Sequence, residues 1–146
     1  MQNFLKVSCV LLLLLLNSCD KCEDIVCSTG PPNFTVELVD AVTGENLFTN
    51  GKYKPGSIKV TDELGQKVYS SFFAEYDRNS LLISVNSIEG DQKITLAVGD
   101  DLSIPIKVKV YKGTANCCTN YFVEDVAVQG YATDVVKENG IIKIKI

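Results

Sequence analysis

Residues 104–111 constrain the fold more than any other stretch of the chain. Ile104, Ile106, Val108 and Val110 alternate with Pro105, Lys107, Lys109 and Tyr111. A period of two places all four aliphatic side chains on one face only if the backbone is extended, since a helix would scatter them around its circumference. The same alternation recurs in Phe34, Val36 and Leu38 against Thr35 and Glu37, and in Ile142, Ile144 and Ile146 against Lys143 and Lys145. Further strands are expected over residues 57–61, 66–73, 81–85, 93–98 and 121–128. Turn chemistry separates them: Gly44 after Asp40, Asp62-Glu63-Leu64-Gly65, Asp77-Arg78-Asn79 and Glu89-Gly90-Asp91. About eight short strands at close spacing, with no amphipathic helix, predict an all-β chain folded as an antiparallel, Ig-like β-sandwich. Residues 131–138 are read as a short helix or turn. Pro105 cannot donate to a ladder and is expected at a strand start or on an edge. The lysine faces of residues 104–110 and 141–146 are expected to be solvated and to guard exposed edges.

The N-terminus has a different character. Lys6 precedes an apolar stretch over residues 7–16, which ends in Asn17, Ser18 and Cys19. That length suits the core of an export signal and falls short of the ~20 residues that a spanning helix needs. Leu16-Asn17-Ser18-Cys19 resembles the lipobox of bacterial lipoproteins. The resemblance implies that residues 1–18 are removed and that Cys19 becomes the first mature residue. Its sulfur would carry a diacylglyceryl thioether and its amine an acyl group. Stable anchoring takes about two membrane signals, and three acyl chains exceed that. The implied partner is therefore the membrane, held through lipid at Cys19. Asp20, Glu23 and Asp24 resemble the acidic tract that follows the lipidated cysteine in surface-exported lipoproteins of the Bacteroidota type. Aspartate directly after the cysteine also resembles an inner-membrane retention signal of enteric bacteria. The outer membrane is the expected location, with the periplasmic and surface faces both open.

The expected organisation is a signal over residues 1–18, a lipidated tether over 19–33, broken by Gly30-Pro31-Pro32, and a sandwich over 34–146. Taking 18 residues from 146 leaves 128, which suits one domain. The removed piece takes Lys6 alone, so 13 basic side chains face 18 acidic ones, a formal charge of −5. That balance argues against nucleic acid as a partner, whose recognition begins with a basic footprint. The mature chain keeps four further cysteines, Cys22, Cys27, Cys117 and Cys118. An even set in an exported protein argues for disulfides. A bond between adjacent Cys117 and Cys118 would close a strained ring, so each is expected to pair with Cys22 or Cys27 in one of two patterns. Four thiolates could instead hold a metal, but the spacing does not suit zinc and the compartment is oxidising. No metal and no cofactor are expected.

Val39-Asp40-Ala41-Val42-Thr43-Gly44-Glu45, followed by Ile58-Lys59-Val60-Thr61-Asp62 and Gly65, is similar to the strand-turn-strand opening of carboxypeptidase regulatory-like (transthyretin-type) domains. The resemblance implies a small β-sandwich and transfers no active site.

The chain contains no histidine, which removes imidazole-based nucleophilic catalysis and histidine metal sites. Adjacent carboxylates remain at Asp62-Glu63, Asp100-Asp101 and Glu124-Asp125. Asp100-Asp101 with Gly99 could offer oxygens to Ca²⁺, but a site needs six to eight ligands, so these read as solvated turns. The aromatic residues Tyr69, Phe72, Phe73 and Tyr76, and Tyr121 with Phe122, would serve a sugar or a protein partner if exposed, and a core if buried. The expected function is thus a lipid-anchored β-sandwich of the cell envelope with a non-catalytic binding or structural role toward an envelope protein or a glycan. The alternative is a carboxylate-dependent hydrolase acting on a glycan.

Overall fold

The alternating segments form strands, and the alternation decides which side chains meet. A computed structural model describes residues 22, 26–27, 29–75, 78–115, 117–136 and 140–146. Residues 1–18, read above as an export signal, Cys19 and Tyr76 lie outside the described residues. Among the described residues nine strands follow in order: β1 (Asn33–Val39), β2 (Ile58–Asp62), β3 (Tyr69–Glu75), β4 (Arg78–Ser84), β5 (Gly90–Val98), β6 (Leu102–Ala115), β7 (Cys118–Val128), β8 (Ala132–Val135) and β9 (Ile142–Lys145). A single 3₁₀ turn, Pro55–Ser57, precedes β2.

Two sheets form, β3-β4-β1-β9-β8 and β2-β5-β6-β7. Neighbours are antiparallel except β1 and β9, which run parallel with Val36 beside Ile142 and Leu38 beside Ile144. The chain crosses between the sheets four times, so neither sheet could fold as an independent meander. Val36, Leu81, Ile83 and Ile144 from one sheet bury against Leu96, Ile104, Ile106 and Val108 from the other. Leu47, in the long connection between β1 and β2, is wholly buried although no periodicity marks it. The all-β sandwich expected from the period-two pattern is the fold observed.

Several local expectations are corrected. Residues 131–138 do not begin as a helix: Ala132–Val135 is β8, paired antiparallel with β9. All four of its residues are exposed, so no buried stripe announced it. Arg78 and Asn79 open β4, and Gly90 and Asp91 open β5, instead of standing in turns. Pro105 lies inside β6, a central strand, between Ile104 and Ile106. Its carbonyl accepts the amide of Gln129, just past the end of β7, so its nitrogen faces that same side, where the β7 ladder has stopped. Its missing donor therefore breaks no rung between named strands.

The lysine faces are open to solvent as expected, but they guard no edge. β6 and β9 are interior strands; the edges are β3, β8, β2 and β7. Their lysines instead form cross-strand ion pairs: Lys107 with Asp91 at 2.8 Å, Lys109 with Glu124 at 3.0 Å and Lys145 with Asp134 at 2.7 Å. Lys143 lies 3.8 Å from Glu37, the one charged residue buried among those described.

One end of the sandwich is tied by polar loop contacts. Asp40 accepts the amides of Val42 at 2.9 Å and Thr43 at 2.8 Å, and Gly44 closes the turn at φ 73°. The Tyr53 hydroxyl donates to Asp101 at 3.0 Å beside the β5–β6 turn. Burial pushes the Tyr53 phenol up, and the Asp101 carboxylate adds to the shift.

Two predictions follow from this packing. Ile104→Ala should cost about 2–5 kcal/mol in urea unfolding, the range for deleting a fully buried aliphatic side chain. The two amides bonded to Asp40 hold its pKa below the ordinary value. Folding thus favours its ionised form, and the stabilisation is complete above about pH 4 and lost as pH falls through the lower folded-state value. Asp40→Ala should therefore lower the thermal midpoint at neutral pH and lower it less at about pH 2. Circular-dichroism melts giving equal shifts at both would show that the charge contributes nothing.

Candidate functional site

The β6–β7 hairpin outgrows the sheet that carries it. Pairing between β5 and β6 stops at Gly90 and Val110, whereas β6 and β7 remain paired to Ala115 and Cys118. Residues 111–122 are thus a two-stranded ribbon projecting from one end of the sandwich. A bulge at its base decides what the ribbon presents. Lys109 faces Asp125 but Val110 faces Val123, leaving Glu124 as the extra residue. The bulge shifts the alternation of β7 by one position. Tyr121 and Val123 therefore turn toward the core, and Phe122 turns outward. Glu124 is held there by Lys109, whose pKa the Glu124 hydrogen bond raises.

Phe122 meets Tyr111 directly across the ladder, and the rings stack with centroids 5.2 Å apart at 24°. Both stay partly open to solvent. Gly113 leaves room beneath them, because a Cβ at that position would lie 3.2 Å from the Phe122 ring and press on it. The aromatic cluster of β3 is divided by the pleat. Tyr69 and Phe73 are exposed, while Phe72 packs inward, edge-on to Phe48 at 5.0 Å. Tyr111 was the partner that the sequence did not single out; its register opposite Phe122 depends on the bulge.

The pairing ends at Ala115 and Cys118, and Cys117, just before β7, has φ 68°. A non-glycine residue in the left-handed region costs about 1 kcal/mol or more. Here the cost is offset by covalent chemistry: Cys117 is bonded to Cys22, and Cys118 to Cys27. Of the two patterns open to the sequence, the chain thus adopts the one pairing first with first. Residues 29–33 run beside the ribbon, and an open groove of about 440 Å³ lies between them and residues 120–123.

A second furrow of about 250 Å³ adjoins the same half of the molecule, lined among others by Asp62, Glu63, Leu64, Ile88, Asp91 and Lys93. Two of its three carboxylates have structural employment. Asp62 accepts the amides of Leu64 at 2.9 Å and Gln66 at 2.8 Å, which closes the β2–β3 turn. Asp91 takes a hydrogen bond from Lys107, which lowers its pKa. A general acid needs the opposite shift. Asp101 serves Tyr53 at the other end, and Glu124 serves the bulge, so the three adjacent acidic pairs are not brought together. Among the described residues, no group of three or more His, Cys, Asp or Glu side chains is placed to hold a metal ion.

Comparison with protein-family models, curated proteins and solved structures finds no match.

The bridges make a prediction of their own. Sequence separations of 95 and 91 would each suggest about 4–5 kcal/mol in the loop-entropy model. Once one bridge exists, however, the second closes a ring of only a few residues through 22–27 and 117–118. Its increment falls to about 2–3 kcal/mol. Cys27→Ser with Cys118→Ser should therefore cost about 2–3 kcal/mol, and removing all four cysteines more than twice that. Denaturant titrations showing simple additivity would contradict this.

Proposed function

We propose that the protein is a lipid-anchored β-sandwich of the cell envelope, attached to the outer membrane through Cys19, with a non-catalytic binding or structural role. The observation that supports this most is where the disulfides lie. Both join the segment immediately after Cys19 to one tip of the folded domain. Bridges of this kind persist in oxidising compartments, and here they brace the very point at which lipid would hold the chain. The lipobox resemblance of Leu16-Asn17-Ser18-Cys19 supplies the anchor, and the clamp explains why the tether behind it carries two cysteines. The half-exposed Tyr111–Phe122 stack lies on the ribbon that the clamp holds and gives the module a flat apolar surface for an envelope component.

The anchor is tested by metabolic labelling. Full-length protein should incorporate radiolabelled palmitate, and Cys19→Ala should not. Equal incorporation by the two would remove the anchor from this reading.

A further inference from the structure

We infer that the hairpin end of the sandwich lies against the bilayer, with the Tyr111–Phe122 stack and the turns bearing Leu64 and Ile88 at headgroup depth. The inference rests on lipidation at Cys19, as proposed above, and goes beyond it by assigning a face of the domain to the lipid surface.

The reach of the lipid-bearing segment limits where the domain can sit. Fourteen residue steps separate Cys19 from Asn33, where β1 begins. Free, such a leash would extend up to about 48 Å, and the domain could take any orientation. For scale, β6 with its 14 residues is about 46 Å long. The Cys22–Cys117 bridge leaves three free steps, at most about 11 Å. Across that bridge the two Cα atoms are 5.5 Å apart. The hairpin tip is therefore confined to within about 16 Å of the lipid-bearing residue. Cys27–Cys118 supplies a second point of attachment five residues on, which limits swivelling about the first.

The distribution of exposed hydrophobic side chains points the same way independently of the anchor. Nine large hydrophobic residues are exposed among those described. Val26, Leu64, Tyr69, Ile88, Tyr111 and Phe122 all lie on the half of the sandwich that carries the hairpin. At the far end only Val42 is comparable, while Phe73 and Val135 sit on the edge strands β3 and β8. Tyrosine rings favour the membrane interface, and exposed aliphatic side chains gain by leaving water. The end that the bridges bring to the lipid is thus the end whose surface suits lipid.

The chain contains no tryptophan, so a single introduced indole reports one position cleanly. Full-length lipidated protein carrying Phe122→Trp, Leu64→Trp, Ile88→Trp or Val42→Trp is reconstituted into phosphatidylethanolamine–phosphatidylglycerol vesicles, some containing lipid brominated near the top of its acyl chains. Each variant is first matched to wild type by its thermal midpoint, and the exposed turn positions 64 and 88 stand in should Phe122→Trp disturb the stack. Interfacial groups sit about 5–10 Å into the headgroup boundary, so emission from positions 122, 64 and 88 should fall by about half. Emission from position 42 should not change. Failure of the protein to float with the vesicles would overturn the anchor and this inference together. Flotation with positions 122, 64 and 88 unquenched would overturn the inference alone. Shielding of those positions in whole cells but not in vesicles would also overturn it, and would assign the surface to an envelope protein or glycan.

Discussion

The structure depends on a strict alternation along β6. Ile104, Ile106, Val108 and Val110 are all buried, and their intervening neighbours all face out. A strand has only two faces, so once those four side chains enter the core, register is fixed on both flanks: a slip of one residue would bury Lys107 and Lys109. β5 on one side and β7 on the other inherit that register, and the opposite sheet packs against the result. The ion pairs of Lys107 and Lys109 lie on the outer face and reinforce the register they did not choose. Exposed pairs of this kind contribute little, about 0–1 kcal/mol each, whereas one buried aliphatic side chain contributes about 1.5–3 kcal/mol.

A bulge in β7 interrupts the alternation there and gives the ribbon its surface. Without the extra residue at Glu124, the phase of Val126 and Val128 would carry Phe122 inward and turn Tyr121 and Val123 out. With it, Phe122 reaches Tyr111 on the solvent side, and Gly113 leaves room for the ring. The bulge, the stack and the glycine thus form one arrangement. Changing any of them would alter what the hairpin presents without touching the sandwich behind it.

Much of the fold could be read from the chain because alternation is a local property. Phe34, Val36 and Leu38, or Ile142 and Ile144, declare both strand and buried face within a few residues. What could not be read depends on partners distant in sequence. β8 is recruited by pairing with β9 and buries no side chain, so Ala132, Thr133, Asp134 and Val135 carry no pattern. Pro105 is tolerated because β7 ends opposite it, and no residue near Pro105 encodes that. Leu47 is buried by the loop that folds over the sandwich end, and its neighbours Asn46 and Phe48 give no period. In the site, the four cysteines were legible as bridging residues, but their connectivity was not. Both patterns close loops of nearly equal length, and only the direction in which the tether passes the hairpin distinguishes them.

That direction bears on why two bridges exist where one would seem to suffice. A single bridge from Cys22 to the hairpin already removes most of the entropy available from a long loop, and the second adds a smaller increment because the ring it closes is short. Stability alone is therefore a weak reason for the pair. Geometry is a stronger one. One bond holds a segment at a point about which it can turn, whereas two bonds, five residues apart in the tether and adjacent in the hairpin, hold it along a line. The left-handed backbone at Cys117 fits the same reading, since a position that strains the turn is occupied by a residue whose value lies in what it is bonded to. For a domain carried on lipid, a tether held along a line converts attachment into orientation, so that the face presented outward is set by the fold and not by the leash.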